Sequence, residues 1–135
     1  MFRGQMVRGA VVTAAAVTMV VGGSARPAFA IKQFFDEFKA VYVKPDSSEP
    51  ADKALAAAVE TAKCNVCHMG MNKKDRNAYG NALADLLDKK EDAKNVDKIR
   101  QSLEKVAAMP SDPAKADSPK FGDLIKQGKL PSPTP

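Results

Sequence analysis

Two thiols and an imidazole stand within five consecutive residues, Cys64-Asn65-Val66-Cys67-His68. The chain of 135 residues has two cysteines and one histidine, so this pentapeptide holds them all. Thiols three residues apart come to the same side of one helical turn. Each can then add its S–H across a vinyl group of a haem, while the next residue offers its imidazole to the iron. The spacing reads as a c-type haem attachment site, with Cys64 and Cys67 as thioether donors and His68 as the proximal iron ligand. Three other chemistries use the same residue types. A zinc site needs four ligands, and beyond this motif only an Asp or Glu could complete the shell. A redox Cys-x-x-Cys belongs to a βαβ context, whereas the flanking pattern here is helical. A disulfide across two residues closes a very small loop and stabilises little.

The elements that must carry the motif follow from periodicity. Met1 to Ala30 has an export leader's organisation: basic Arg3 and Arg8, an uncharged apolar stretch from Ala10 to Val21, and Ala28-Phe29-Ala30 before a cut expected at Ala30/Ile31. The rival reading, a membrane anchor over Gly9 to Ala25, is short and diluted by Thr, Gly and Ser. The remaining 105 residues make one small domain. Its charge is nearly balanced: without Arg3, Arg8 and Arg26 there are 18 basic residues against 16 acidic, a net of +2. This leaves no electrostatic footprint for nucleic acid. A chain of this length without Trp has a thin core of its own, which a buried haem would thicken.

Residues 31–50 read as an N-terminal helix and linker. Phe34, Phe35, Phe38, Val41 and Tyr42 recur at helical spacing, a core stripe or a haem-edge cover, before the turn-rich Lys44 to Pro50. Residues 51–130 form the second unit. A helix over about Ala51 to Lys63, with Leu55, Ala58, Val59 and Ala62 on one face, delivers the motif at its end. A helix is expected over about Asp75 to Lys90, capped by Asp75, with Tyr79, Leu83, Leu86 and Leu87 as its stripe. Another spans about Val96 to Ala108, capped by Asn95 and burying Val96, Ile99, Leu103 and Val106. A short one carries Phe121, Leu124 and Ile125 and stops at Gly128. Residues 131–135 read as a frayed tail. The expected fold class is all-α.

The motif, a loop, and then Arg76-Asn77-Ala78-Tyr79-Gly80 followed by Ala82-Leu83 resemble the small, mono-haem cytochromes c over roughly Ala51 to Met109. The resemblance implies a cytochrome c-like helical domain wrapped around one covalent haem c, exported to the periplasm or an equivalent compartment. In that family a proline carbonyl accepts the bond from the iron-bound histidine. Here Arg76 stands in the proline's place, and its carbonyl or a neighbour's must serve. Tyr79, Gly80 and Arg76 are the candidate haem contacts, and Lys73 and Lys74 further candidates to pair with propionates. With no second histidine, Met109 is the candidate distal ligand, against an iron that is five-coordinate, Lys-ligated or water-ligated. Met69 and Met71 follow His68 too closely to reach the far face.

The implied function is electron transfer to redox protein partners by a monomer that is not an integral membrane protein once cleaved. The alternative is a haem-based ligand-binding or sensor protein with an open sixth position. No hydrolase triad, nucleotide loop or paired-carboxylate site is apparent, so the chain is not expected to be an enzyme.

Overall fold

The computed structural model describes residues 28–71 and 73–132. All but the last three positions of the expected leader lie outside them. The described residues are all-α, with two isolated β-bridges and no strand. Five α-helices are present: α1 Ala28–Tyr42, α2 Pro50–Ala62, α3 Ala78–Ala84, α4 Val96–Ala107 and α5 Phe121–Lys126. A 3₁₀ turn, Lys63–Val66, follows α2 directly. No helix among the described residues is long and apolar enough to cross a membrane.

The aromatic stripe of α1 is what makes it part of the core rather than an appendage. Phe38 is buried against Tyr42 and Tyr79, with ring centroids 5.1 and 5.8 Å away. α1 packs on α4, where the Tyr42 hydroxyl donates to the Leu103 carbonyl at 3.0 Å and Arg100 Nε meets Glu37 Oε2 at 2.8 Å. α4 presents Ile99, Leu103 and Val106 at spacings that keep them on one face, as the periodicity predicts. Val96 is only half-buried. Asn95 caps α4, its side-chain oxygen accepting from Lys98 N at 3.0 Å.

α5 lies across α4 and α2, burying Phe121 and Ile125. Gly128 ends it with φ of +78°, and a Cβ there would lie 2.6 Å from the Ala51 carbonyl, so both conformation and space require glycine. The turn at Gly128 carries the chain back against the body. Pro131 and Ser132, expected in a loose tail, are therefore buried.

The third expected helix is much shorter than its apolar pattern. It begins at Ala78 rather than Asp75, because the Asp75 carbonyl and the Arg76 backbone are engaged with His68 and Met69. It stops at Ala84 because the Asp88 carboxylate collects the backbone amides of Lys90 and Glu91, at 2.7 and 2.9 Å, and folds that segment into a turn.

Candidate haem site

The site begins with a strained residue. Lys63, at φ +49° and ψ −115°, closes α2 in a conformation that costs a non-glycine residue about 1–3 kcal/mol. It turns the chain out of the helix axis and into the 3₁₀ turn holding Cys64. Amides of Cys67 and His68 both donate to the Cys64 carbonyl, at 3.3 and 3.1 Å, so the motif is a wound turn and not an open loop.

Cys64, Cys67 and His68 all line one cavity of about 920 Å³. This is the upper part of the range for pockets that enclose an organic ligand. Phe34 and Phe35 of α1 and Leu83, Ala84 and Leu87 around α3 supply its apolar walls. Arg76 and Gly80 line it too, together with Lys32, Lys73, Asp88, Lys89 and Lys90. Burial pushes the Cys67 thiol up to about 12, with the neighbouring Cys64 adding to the effect.

His68 is 7% exposed, and its ring is held by one bond. Nδ1 lies 3.3 Å from the Asp75 carbonyl. A carbonyl can only accept, so Nδ1 carries the proton and Nε2 keeps a lone pair for a metal. The same carbonyl accepts from Met69 N at 2.9 Å. The Asp75 carbonyl thus orients the His68 ring and fastens the backbone beside it. Burial lowers the His68 pKa, as do the charges of Arg76, Lys89 and Lys73, while the bond to Asp75 partly opposes them. The largest effect, burial, favours the neutral imidazole, and the next in size, the bond to the Asp75 carbonyl, works against it.

Two residues fasten the motif to α3. Asn77 is 4% exposed and uses its whole side chain. Its amide nitrogen donates to the carbonyls of Asn65 and Val66, at 3.2 and 3.0 Å, and its oxygen accepts from Gly80 N at 2.9 Å, capping α3. Its backbone amide donates to the Cys67 carbonyl at 3.1 Å. Gly80 meets the same carbonyl: a Cβ on residue 80 would lie 2.0 Å from the Cys67 oxygen. Helix α3 and the motif can approach this closely only through glycine.

Three expected site residues stand apart from the cavity. Tyr79, one residue before Gly80 on a helix, turns into the core, its ring 5.8 Å from Phe38 and 5.3 Å from Phe121. Its hydroxyl is buried with no hydrogen-bond partner among the described residues, and burial pushes its pKa well above the ordinary value. Met109 ends α4 at 37% exposure, tied by its carbonyl to Phe121 N at 3.1 Å, and does not line the cavity. Lys74 is exposed and does not line it either. Asn77 was overlooked as a site residue, although an Asn directly before a helical pattern is a capping signal. Lys89 and Lys90 were overlooked because the sequence pattern places them inside a helix.

Among the described residues, no group of three or more His, Cys, Asp or Glu side chains is arranged to hold a metal ion. Cys64, Cys67 and His68 instead share the lining of one cavity. Compared with family models, curated proteins and solved structures, the chain matches none of them.

Proposed function

We propose that this chain is an exported c-type haem protein with a cytochrome c-like fold, its one haem c held by thioethers to Cys64 and Cys67 and by His68 on the iron. Its function on this reading is electron transfer between redox protein partners. One observation carries the reading: two thiols and an imidazole oriented by the Asp75 carbonyl line one apolar cavity of about 920 Å³. The residues fit the group in donor chemistry, in apolar lining and in the basic rim that two propionates require. Bound there, the haem would supply a one-electron iron couple whose potential depends on axial ligand, burial and hydrogen bonding.

The chain's own residues do the rest. Cys64 and Cys67 tether, and the Asp75 carbonyl holds the Nδ1 proton so that Nε2 keeps a lone pair for the iron. Asn77 and Gly80 fix the turn on which all three donors sit. Phe34, Phe35, Leu83 and Leu87 keep water from the walls, which strengthens every charge interaction inside. Phe34 and Phe35 thereby serve as the edge cover that α1 contributes. Export belongs to the same reading, because thioether formation occurs on a reduced chain outside the cytoplasm, and the leader ends at Ala30.

A second reading, binding of a small exogenous ligand at an open sixth position, is favoured by the position of Met109. No methionine among the described residues lines the cavity. The visible spectrum of the purified exported protein separates the two. A low-spin ferric form, whose ferrous form takes up carbon monoxide poorly, supports the carrier. A high-spin form that binds carbon monoxide readily supports the ligand-binding protein, and Met109→Ala then leaves both spectra unchanged. Mature protein beginning at Ile31 supports export, whereas a chain beginning at Met1 in a membrane fraction contradicts it.

A further inference from the structure

Helix α1 precedes the stretch, Ala51 to Met109, over which the chain resembles the small cytochromes c, yet its Lys32, Phe34 and Phe35 line the cavity beside Cys64, Cys67 and His68. A wall brought in from outside the motif's own unit must be seated by contacts of its own. Among the described residues, the side chains of α1 make two hydrogen bonds to other elements, and both go to α4. One comes from Tyr42, the last residue of the helix, and the other from Glu37. Phe38 anchors the helix in the core between them.

The two ties differ in where they act. A helix rises 1.5 Å per residue, so Glu37 lies within about 5 Å of Phe34 and Phe35 along the axis, whereas Tyr42 lies about 10–12 Å from them. Glu37 is 8% exposed, and both oxygens of its carboxylate are engaged. Oε1 accepts from Gln33 Nε2 at 3.0 Å within the helix, and Oε2 accepts from Arg100 Nε at 2.8 Å across to α4. A carboxylate this buried is costly unless it is paired and hydrogen-bonded. The Arg100 side chain, 52% exposed, keeps access to water. The bond is therefore worth more to the seating of α1 than to α4, and it acts at the end of α1 that lines the cavity.

We infer that Glu37 and Arg100 are a positioning pair: they seat α1 as a wall of the cavity, keep water from the haem and so help to set its reduction potential. This inference rests on the haem reading and adds to it two residues that neither line the cavity nor belong to the attachment motif. Water admitted beside the iron favours the more highly charged ferric state, so an unseated wall lowers the potential. A pair that only held the domain together would act on stability alone.

The test uses the exported, haem-loaded protein and compares its reduction potential, by spectroelectrochemistry, with hydrogen exchange at the amides of Phe35 to Phe38. Glu37→Gln/Arg100→Leu cuts the bond and leaves the net charge unchanged. Its redox equilibrium moves towards the ferric form by about tenfold, a fall of about 59 mV, and exchange over Phe35 to Phe38 quickens. Glu37→Gln/Arg100→Gln differs only in keeping a donor at residue 100, and it holds both quantities near wild type. Tyr42→Phe cuts the other tie and lowers stability without moving the potential. A haem-loaded Leu variant with an unmoved potential, or an equal fall in Tyr42→Phe, overturns the positioning role while the haem reading stands. Exchange in the wild type needs no variant: amides of Phe35 to Phe38 as slow as those of α4 support a seated wall, and freely exchanging ones overturn it. Purified wild type without covalent haem overturns the haem reading and the positioning role with it.

Discussion

Asn77 does two separable jobs, and aspartate at that position keeps one and abolishes the other. As N-cap, Asp is equivalent to Asn, so the bond from Gly80 N survives Asn77→Asp. The donated bonds to the Asn65 and Val66 carbonyls do not, and a buried carboxylate now faces both oxygens. Two lost bonds at about 1 kcal/mol each make a loss of about 2 kcal/mol, and the uncompensated carboxylate adds to it. Asn77→Ala loses the same two bonds and the cap as well, about 1 kcal/mol more, for about 3 kcal/mol. In a domain near 100 residues this lowers Tm by roughly 10–20 °C. The carboxylate of the Asp variant has a raised folded-state pKa, so its extra penalty is full above that pKa and fades as pH falls towards about 4. Urea titrations of wild type and both variants, at neutral and acid pH, measure these differences. An Asn77→Asp protein as stable as wild type at neutral pH would refute the claim that this side chain ties the motif to α3.

Three further outcomes follow from single positions. Gly80→Ala places a methyl 2.0 Å from the Cys67 carbonyl, so the motif must shift; the expected cost in a denaturant titration is about 1–3 kcal/mol, with haem incorporation reduced. Tyr79→Phe removes a buried hydroxyl without a partner, so its stability should equal or exceed wild type by up to about 1 kcal/mol, and a marked loss would mean that the hydroxyl is bonded after all. Asp92 and Asp88 are held below the usual carboxylate range, Asp92 chiefly by Lys98 and Asp88 by the amides of Glu91 and Lys90. Their contribution to stability is therefore complete above about pH 4 and is lost as pH falls through their lowered folded-state values, and acid titrations of Asp92→Asn should lack its share of that loss.

What the sequence made legible was whatever depends on local periodicity or on residue type. The stripes of α1, α2 and α4, the Asn95 cap and the stop at Gly128 are all local signals, and they appear where the pattern puts them. The Cys-x-x-Cys-His motif is a spacing, and Cys64, Cys67 and His68 line one cavity. Helix α3 was misread in length because its stripe continues through Leu86 and Leu87, while two carboxylates competing for backbone amides decide where it ends. Tyr79 and Gly80 were read together as haem contacts, yet adjacent helical residues point about 100° apart, and only one of them can face the cavity. The tertiary position of Met109 depends on how α5 folds back on α4, for which no local signal exists.

Covalent attachment is the claim from which the others descend, and acid-organic extraction of the purified exported protein tests it most directly. The two thiols on the cavity wall predict that the haem chromophore stays with the polypeptide through extraction and denaturing electrophoresis, and that Cys64→Ala/Cys67→Ala releases it. A wild-type chain that gives up all its haem to the organic phase, or that carries zinc in its place, would contradict the account.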